Sequence, residues 1–145
     1  MSACDNTTVE SRQIAKHALE QVCSGARLEC LAQYYSSRFV DHVNGAELRG
    51  HSGVRASVQL YRKILSDLAI TVEDQVIDGL RVVSRFMVSG VAYGRPVRFS
   101  GITISHIEDG LIVEDWSVTD TLGMLRQLGA WRLLLVMLRS LGRHP

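Results

Sequence analysis

Asp120, His106 and His42 are the side chains whose types and spacing could carry chemistry in this chain. Asp120 ends the run Ile112, Glu114, Trp116, Val118, Asp120, in which apolar groups and carboxyls recur at every second position. Strand residues two apart point to the same face, so an unbroken strand places the Asp120 carboxyl at the end of an apolar and aromatic row. A carboxyl there loses hydration, its pKa rises, and it can exchange protons near neutrality. Asp120 also directly precedes a predicted helix, where aspartate commonly accepts backbone N–H groups as an N-cap. The residues alone leave both roles open.

The other candidates carry the same ambiguity. In a regular strand His106 shares a face with Ile102 and Ile104, where it could bond a substrate oxygen or shift a nearby carboxyl. It could equally be a core histidine satisfied by a backbone carbonyl. His42, after Asp41, either lines a pocket mouth or sits in a loop. Arg85 interrupts the apolar run 82–88 and could bind an anionic group or a carboxylate, with Glu114 as its candidate partner, or lie on the solvent face. Trp116 and Tyr35, with Tyr61 and Tyr93, could wall an aromatic pocket or simply fill the core. No histidine pair has metal-ligand spacing with a third ligand, so no metal is expected. Neither GxGxxG, GxxxxGK[ST] nor GxSxG occurs, and Gly101 and Gly110 read as turn or bulge residues.

The elements that must position these groups follow from period and punctuation. Thr7-Thr8-Val9-Glu10 has capping-box spacing before a helical pattern that Gly25 stops. A short helix fits 28–34, residues 34–42 leave it as an extended piece, 44–53 reads as a loop, and a further helix runs from near Ser52 to near Leu65. From Leu68 the period becomes two. Strands are expected at 68–78, at 80–90, and twice within 91–106 across Tyr93-Gly94-Arg95-Pro96. Asp109-Gly110 is a hairpin turn into the strand carrying Glu114. Residues 119–128 and 131–141 are predicted helical, the latter apolar around most of its circumference and suited to a lid or a dimer interface. Helices, then consecutive strands, then helix imply an α+β fold: a curved antiparallel sheet whose concave face the N-terminal helices cover.

At 145 residues the chain is expected to form one domain over 1–145, with a sizeable core. Lys and Arg number 16 against 15 Asp and Glu, for a net charge of +1. With no basic stripe, neither nucleic acid nor a membrane surface is an expected partner. Cys4, Cys23 and Cys30 show neither disulfide nor zinc spacing, which fits a reducing cytoplasm. The N-terminus lacks the pattern of a signal peptide, and the apolar run 133–138 is too short to span a bilayer.

Several phrases stand in a telling order: Phe39-Val40-Asp41-His42, Gly79-Leu80-Arg81-Val82, Arg85-Phe86, then HIEDGLIVEDWSVTDTLGMLRQLGA from His106 to Ala130. Together they resemble the SnoaL-like polyketide cyclases, or ester cyclases, over about 28–130. The most specific part is Glu114-Asp115-Trp116 through Asp120-Thr121-Leu122 to Gln127-Leu128-Gly129. The resemblance implies a cone-shaped barrel like that of nuclear transport factor and ketosteroid isomerase, with a deep apolar pocket, assembled as a dimer or tetramer. It implies cofactor-free intramolecular aldol ring closure of a bulky polyketide-like substrate, an isomerase- or lyase-type reaction of natural-product (antibiotic) biosynthesis. By position Asp120 is the acid/base and His106, fourteen residues earlier, a pocket residue. His42, Trp116, Tyr35 and Arg85 are the expected substrate contacts. Two departures stand out: the hairpin at Gly94-Arg95-Pro96 is shorter than in many relatives, and Leu80 replaces their usual Asp or Asn. Epoxide opening, a hydroxylase-type reaction and plain small-molecule binding remain alternatives on the same fold.

Overall fold

The computed structural model describes residues 3–129. Helix α1 (Ala3–His17) runs into a π-helical turn (Ala18–Cys23), and Gly25, at φ 77°, ends it. A 3-10 turn (Leu28–Cys30) and α2 (Leu31–Tyr34) lead directly into β1 (Tyr35–Val43). β2 (Ala46–Arg49) and α3 (Gly50–Ile64) follow, then β3 (Ser66–Asp78), β4 (Arg81–Ala92), β5 (Arg95–Glu108), β6 (Leu111–Thr119) and α4 (Thr121–Gln127).

The six strands form one curved, unclosed sheet in the order β2-β1-β6-β5-β4-β3. Hairpin chemistry joins neighbours in the chain. Asn44-Gly45, Tyr93-Gly94 and Asp109-Gly110 each place two consecutive residues at positive φ, the turn whose twist matches that of the flanking strands. Two core clusters sit on the concave face. One packs Ala15, Ala18 and Val22 against Tyr35, Val82 and Ile112; the other gathers Leu65, Phe86, Val97, Phe99 and Met124.

The α+β architecture and its curved sheet match the expectation from the sequence, with specific corrections. The first helix begins at Ala3, before the capping-box residues. The expected loop at 44–53 contains β2, paired to β1 across Asn44-Gly45. Val91 and Ala92 belong to β4, so 80–106 holds two strands rather than three. The sheet is mixed, because β1 pairs with β6 in parallel. That pairing joins segments about 75 positions apart, beyond any local pattern. Gly101 is neither turn nor bulge: it lies within β5 opposite Phe86, whose ring occupies the space a Cβ would take. The expected helix at 131–141 lies outside the described residues.

One irregularity decides the site. Across β5 and β6, Ile107 pairs with Ile112 but His106 with Glu114, so β6 holds one residue more than its partner there. Such a bulge reverses the inward parity of the strand beyond it. Ile112 points inward and so does Asp115, three positions on. Glu114, Trp116 and Val118 are turned outward, Trp116 40% and Val118 62% exposed. The expectation that Ile112, Glu114, Trp116, Val118 and Asp120 share one face is therefore corrected by a single inserted residue.

Candidate active site

The concave face encloses a cavity of about 70 Å³ into which Asp41, Asp115, Tyr35 and Cys23 project. In β1, Tyr35, Phe39, Asp41 and Val43 have the same parity, so the apolar alternation that buries Phe39 carries Asp41 inward with it. Asp41 and Asp115 are register partners across the parallel β1–β6 pair, on strands about 4.8 Å apart. Behind Asp115 stands Ser105 of β5, its pairing partner and hydrogen-bond donor. The next inward row is polar as well. Ser117 and Thr103 share a hydrogen bond of 2.8 Å, and Gln75 Nε2 donates to Ser84 Oγ at 3.1 Å.

Burial sets the acidity of these groups. Asp115 is 6% exposed; loss of hydration pushes its pKa up to about 8, against the lowering bond from Ser105 and with added repulsion from Asp41. Asp41 is pushed up to about 6 by burial, which the charge of His42 partly offsets. Asp41 Oδ1 and Asp115 Oδ1 are buried without a hydrogen-bond partner among the described residues. A buried lone pair left open in this way is costly unless a ligand uses it. At the cavity floor Cys23 Sγ and Tyr35 Oη are 3.2 Å apart. Burial pushes the thiol up to about 12 and the phenol well above its ordinary value, so both keep their protons at neutral pH. Tyr35 packs edge-on against Phe39, and His51 Nε2 bonds its carbonyl at 2.8 Å, fixing the start of β1 against α3.

Of the residues expected at the site, Tyr35 and Tyr61 line this cavity. Asp120 is exposed and N-caps α4, its Oδ1 accepting from Gly123 N at 2.8 Å. His106 turns to the convex face with Ile102 and Ile104 and lies 3.4 Å from Glu108. His42 is convex too: it stacks on Trp116 at 5.1 Å and bonds Glu114 Oε1 at 2.8 Å. Arg85 pairs with Glu73, so Glu114 answers to His42 rather than Arg85. The residues that sequence reasoning passed over, Asp41 and Asp115, each adjoin a chosen one. The parity of β1 and the inward run Gly101, Thr103, Ser105 in β5 carried a signal for a polar cavity wall.

Among the described residues no group of three or more His, Cys, Asp or Glu could hold a metal ion. None of their helices is long and apolar enough to cross a membrane.

Residues 13–128 match the family model of the SnoaL-like polyketide cyclases. TsrD from Streptomyces laurentii is 30% identical, with 84% of this chain and 96% of that one covered at a TM-score of 0.70. A Bacillus cereus ATCC 10987 protein, whose polyketide cyclase role is itself an inference, is 29% identical over 83% of this chain and 80% of its own, with a TM-score of 0.74. IdmH from Streptomyces antibioticus, likewise a cyclase by inference, is 27% identical over 83% and 99%, with a TM-score of 0.73. A search of curated proteins finds no match.

Proposed function

Since the chain belongs to the SnoaL-like polyketide cyclase family, we propose that it closes a ring by intramolecular aldol addition on an apolar, oxygenated polyketide-like substrate, with Asp41 and Asp115 dividing the acid and base roles. The observation that carries this reading is the pair of cavity-facing carboxyls on adjacent strands, each with an open lone pair. Their environments separate their proton affinities, and such a separation assigns the roles. Near pH 7 Asp41, at about 6, is mostly ionised and suited to be the base; Asp115, at about 8, is mostly protonated and suited to be the acid.

The steps balance without another reactant. Asp41 takes the proton from a carbon flanked by carbonyl groups, and the electron pair passes to oxygen as an enolate. The enolate carbon attacks a ketone of the same molecule, forming one C–C bond. Asp115 gives its proton to the new alkoxide. Transfer from protonated Asp41 to its neighbour Asp115 then resets the pair. Holding both reacting ends in one cavity replaces an encounter with an oriented contact. Tyr35 and Cys23, both protonated, can offer hydrogen bonds to substrate oxygens.

The test is ring closure of linear aromatic polyketide esters, followed by chromatography against pH. A bell centred near pH 7 is expected, with Asp41→Asn removing the base and Asp115→Asn the acid. Turnover by Asp41→Asn at the wild-type rate would sink the assignment.

The same carboxyl pair also supports epoxide opening, since about 70 Å³ admits water beside a substrate end. Oxygen-18 from water appearing in the product selects that reading. We further propose a homo-oligomer assembled through the convex face, where Ile102, Ile104, Trp116 and Val118 form an exposed apolar band. The free thiols of Cys23 and Cys30 support a cytoplasmic setting.

A further inference from the structure

The cavity holding Asp41 and Asp115 is small for the substrate class proposed above. At about 70 Å³ it has room for the end of a molecule, whereas sites for drug-sized ligands span roughly 300–1,000 Å³. A second hollow of about 620 Å³ lies on the other side of Tyr61 and Thr119. Ala46 and Leu48 of β2, Leu60 and Ile64 of α3, Phe99 of β5 and Met124 of α4 line it. Val43, Ser57, Tyr61 and Thr119 line both spaces, so the two adjoin with these side chains as the partition.

The partition between them is held shut by a hydrogen bond. Tyr61 Oη lies 3.3 Å from Thr119 Oγ1 and the Tyr61 ring stacks on Phe99. Asn44 clamps Thr119 from both sides, donating from Nδ2 to Oγ1 at 2.8 Å and accepting from Thr119 N at 3.0 Å. Leu60 and Ile64, 59% and 40% exposed, offer apolar surface in the outer hollow, where Lys63 is the single charged side chain of the lining among the described residues.

From this adjacency we infer that the substrate is bound in two parts. Its ring-bearing apolar body lies in the outer hollow between α3, β2 and α4. Only a small carbonyl-bearing end reaches Asp41 and Asp115, passing beside the Tyr61 ring once its hydroxyl leaves Thr119. Tyr61 is thereby a specificity-determining residue, admitting a narrow end and stopping the body. The inference rests on the assignment of the two aspartates only for which end points inward.

The test is binding, so it stands or fails separately from the ring-closure chemistry. Acetophenone, 2-acetylnaphthalene and 2-acetylanthracene are titrated calorimetrically into the full-length protein. Affinity is expected to rise roughly fivefold per added ring, because each ring buries more apolar area in the outer hollow. Leu60→Asp is expected to abolish that rise, whereas Val76→Asp, similarly exposed but outside both linings, is expected to keep it. Tyr61→Ala is expected to admit the larger ketones to the inner cavity, seen as nuclear Overhauser contacts between the acetylanthracene rings and the Tyr35 side chain. Tyr61→Phe keeps the bulk of the ring and is expected to retain the wild-type rise and to keep the larger ketones out, which separates blocking from misfolding. No saturable binding, or affinity that falls with ring number in the wild type, overturns the division. A rise insensitive to Leu60→Asp gives the outer hollow to another occupant, such as residues 130–145, and overturns it too.

Discussion

Replacing Asp115 with Asn is expected to stabilise the fold above neutral pH while abolishing turnover. In the folded protein the carboxyl titrates at about 8, against an ordinary value of 3.8. Between those values the native state holds a proton that the unfolded state has released, so native stability falls as pH rises through this window. From pH 5 to pH 7 the difference is close to one proton, which amounts to about 3 kcal/mol. For a chain of 145 residues that is roughly 8 °C in melting temperature. Asn approximates the size of the carboxylic acid and can retain a bond to Ser105, but it does not titrate. Asp41 titrates in both proteins and largely cancels in the comparison. The assay is urea unfolding of wild type and Asp115→Asn in one buffer series from pH 5 to pH 8. The variant should gain about 3 kcal/mol on the wild type between pH 5 and pH 7. A difference that stays flat across the series would refute the claim that burial holds this proton. Loss of turnover in a variant made more stable marks a group kept for chemistry at the expense of the fold.

Other substitutions test neighbouring parts of the account. Asp120→Ala should cost about 1 kcal/mol by losing the α4 cap yet keep most turnover, whereas Asp120→Asn should match wild type in both; abolished turnover in a folded Asp120→Asn would return the acid/base role to that residue. Asp41→Asn should lower turnover by about 10²–10⁴-fold and remove the acidic limb of the pH–rate profile near 6. Glu20→Ala leaves the Val72 N–H at the β3 irregularity without the acceptor it holds at 2.9 Å, and should cost about 1–3 kcal/mol in urea unfolding. Trp116→Glu on the convex face should shift the sedimentation coefficient towards that of a monomer, and an unchanged value removes this face as the assembly surface.

Much of the fold was legible because its signals are local. Alternation from Leu68 onward marked strands, Gly25 marked the end of the first helical segment, and Asp109-Gly110 marked a hairpin that the backbone adopts at positive φ on both residues. The Asn44-Gly45 turn is the same chemistry, but β2 spans only four residues and its apolar content is too slight to show a period. The resemblance carried by the 106–130 segment named the family that the match over 13–128 assigns.

The site was less legible, and for a definite reason. Reading Asp120 as inward required β6 to keep period two from Ile112 to its end, whereas its bulge moves every later residue to the opposite face. The chain therefore presents Asp115 to the cavity and leaves Asp120, past the strand's end, to cap α4. Composition and periodicity determined by themselves that this chain makes helices followed by a curved sheet, because apolar spacing dictates which residues can be buried together. Only the tertiary structure decided which carboxyls meet. Asp41 and Asp115 lie 74 positions apart, and the parallel β1–β6 register that sets them side by side depends on the whole sheet curving around the core.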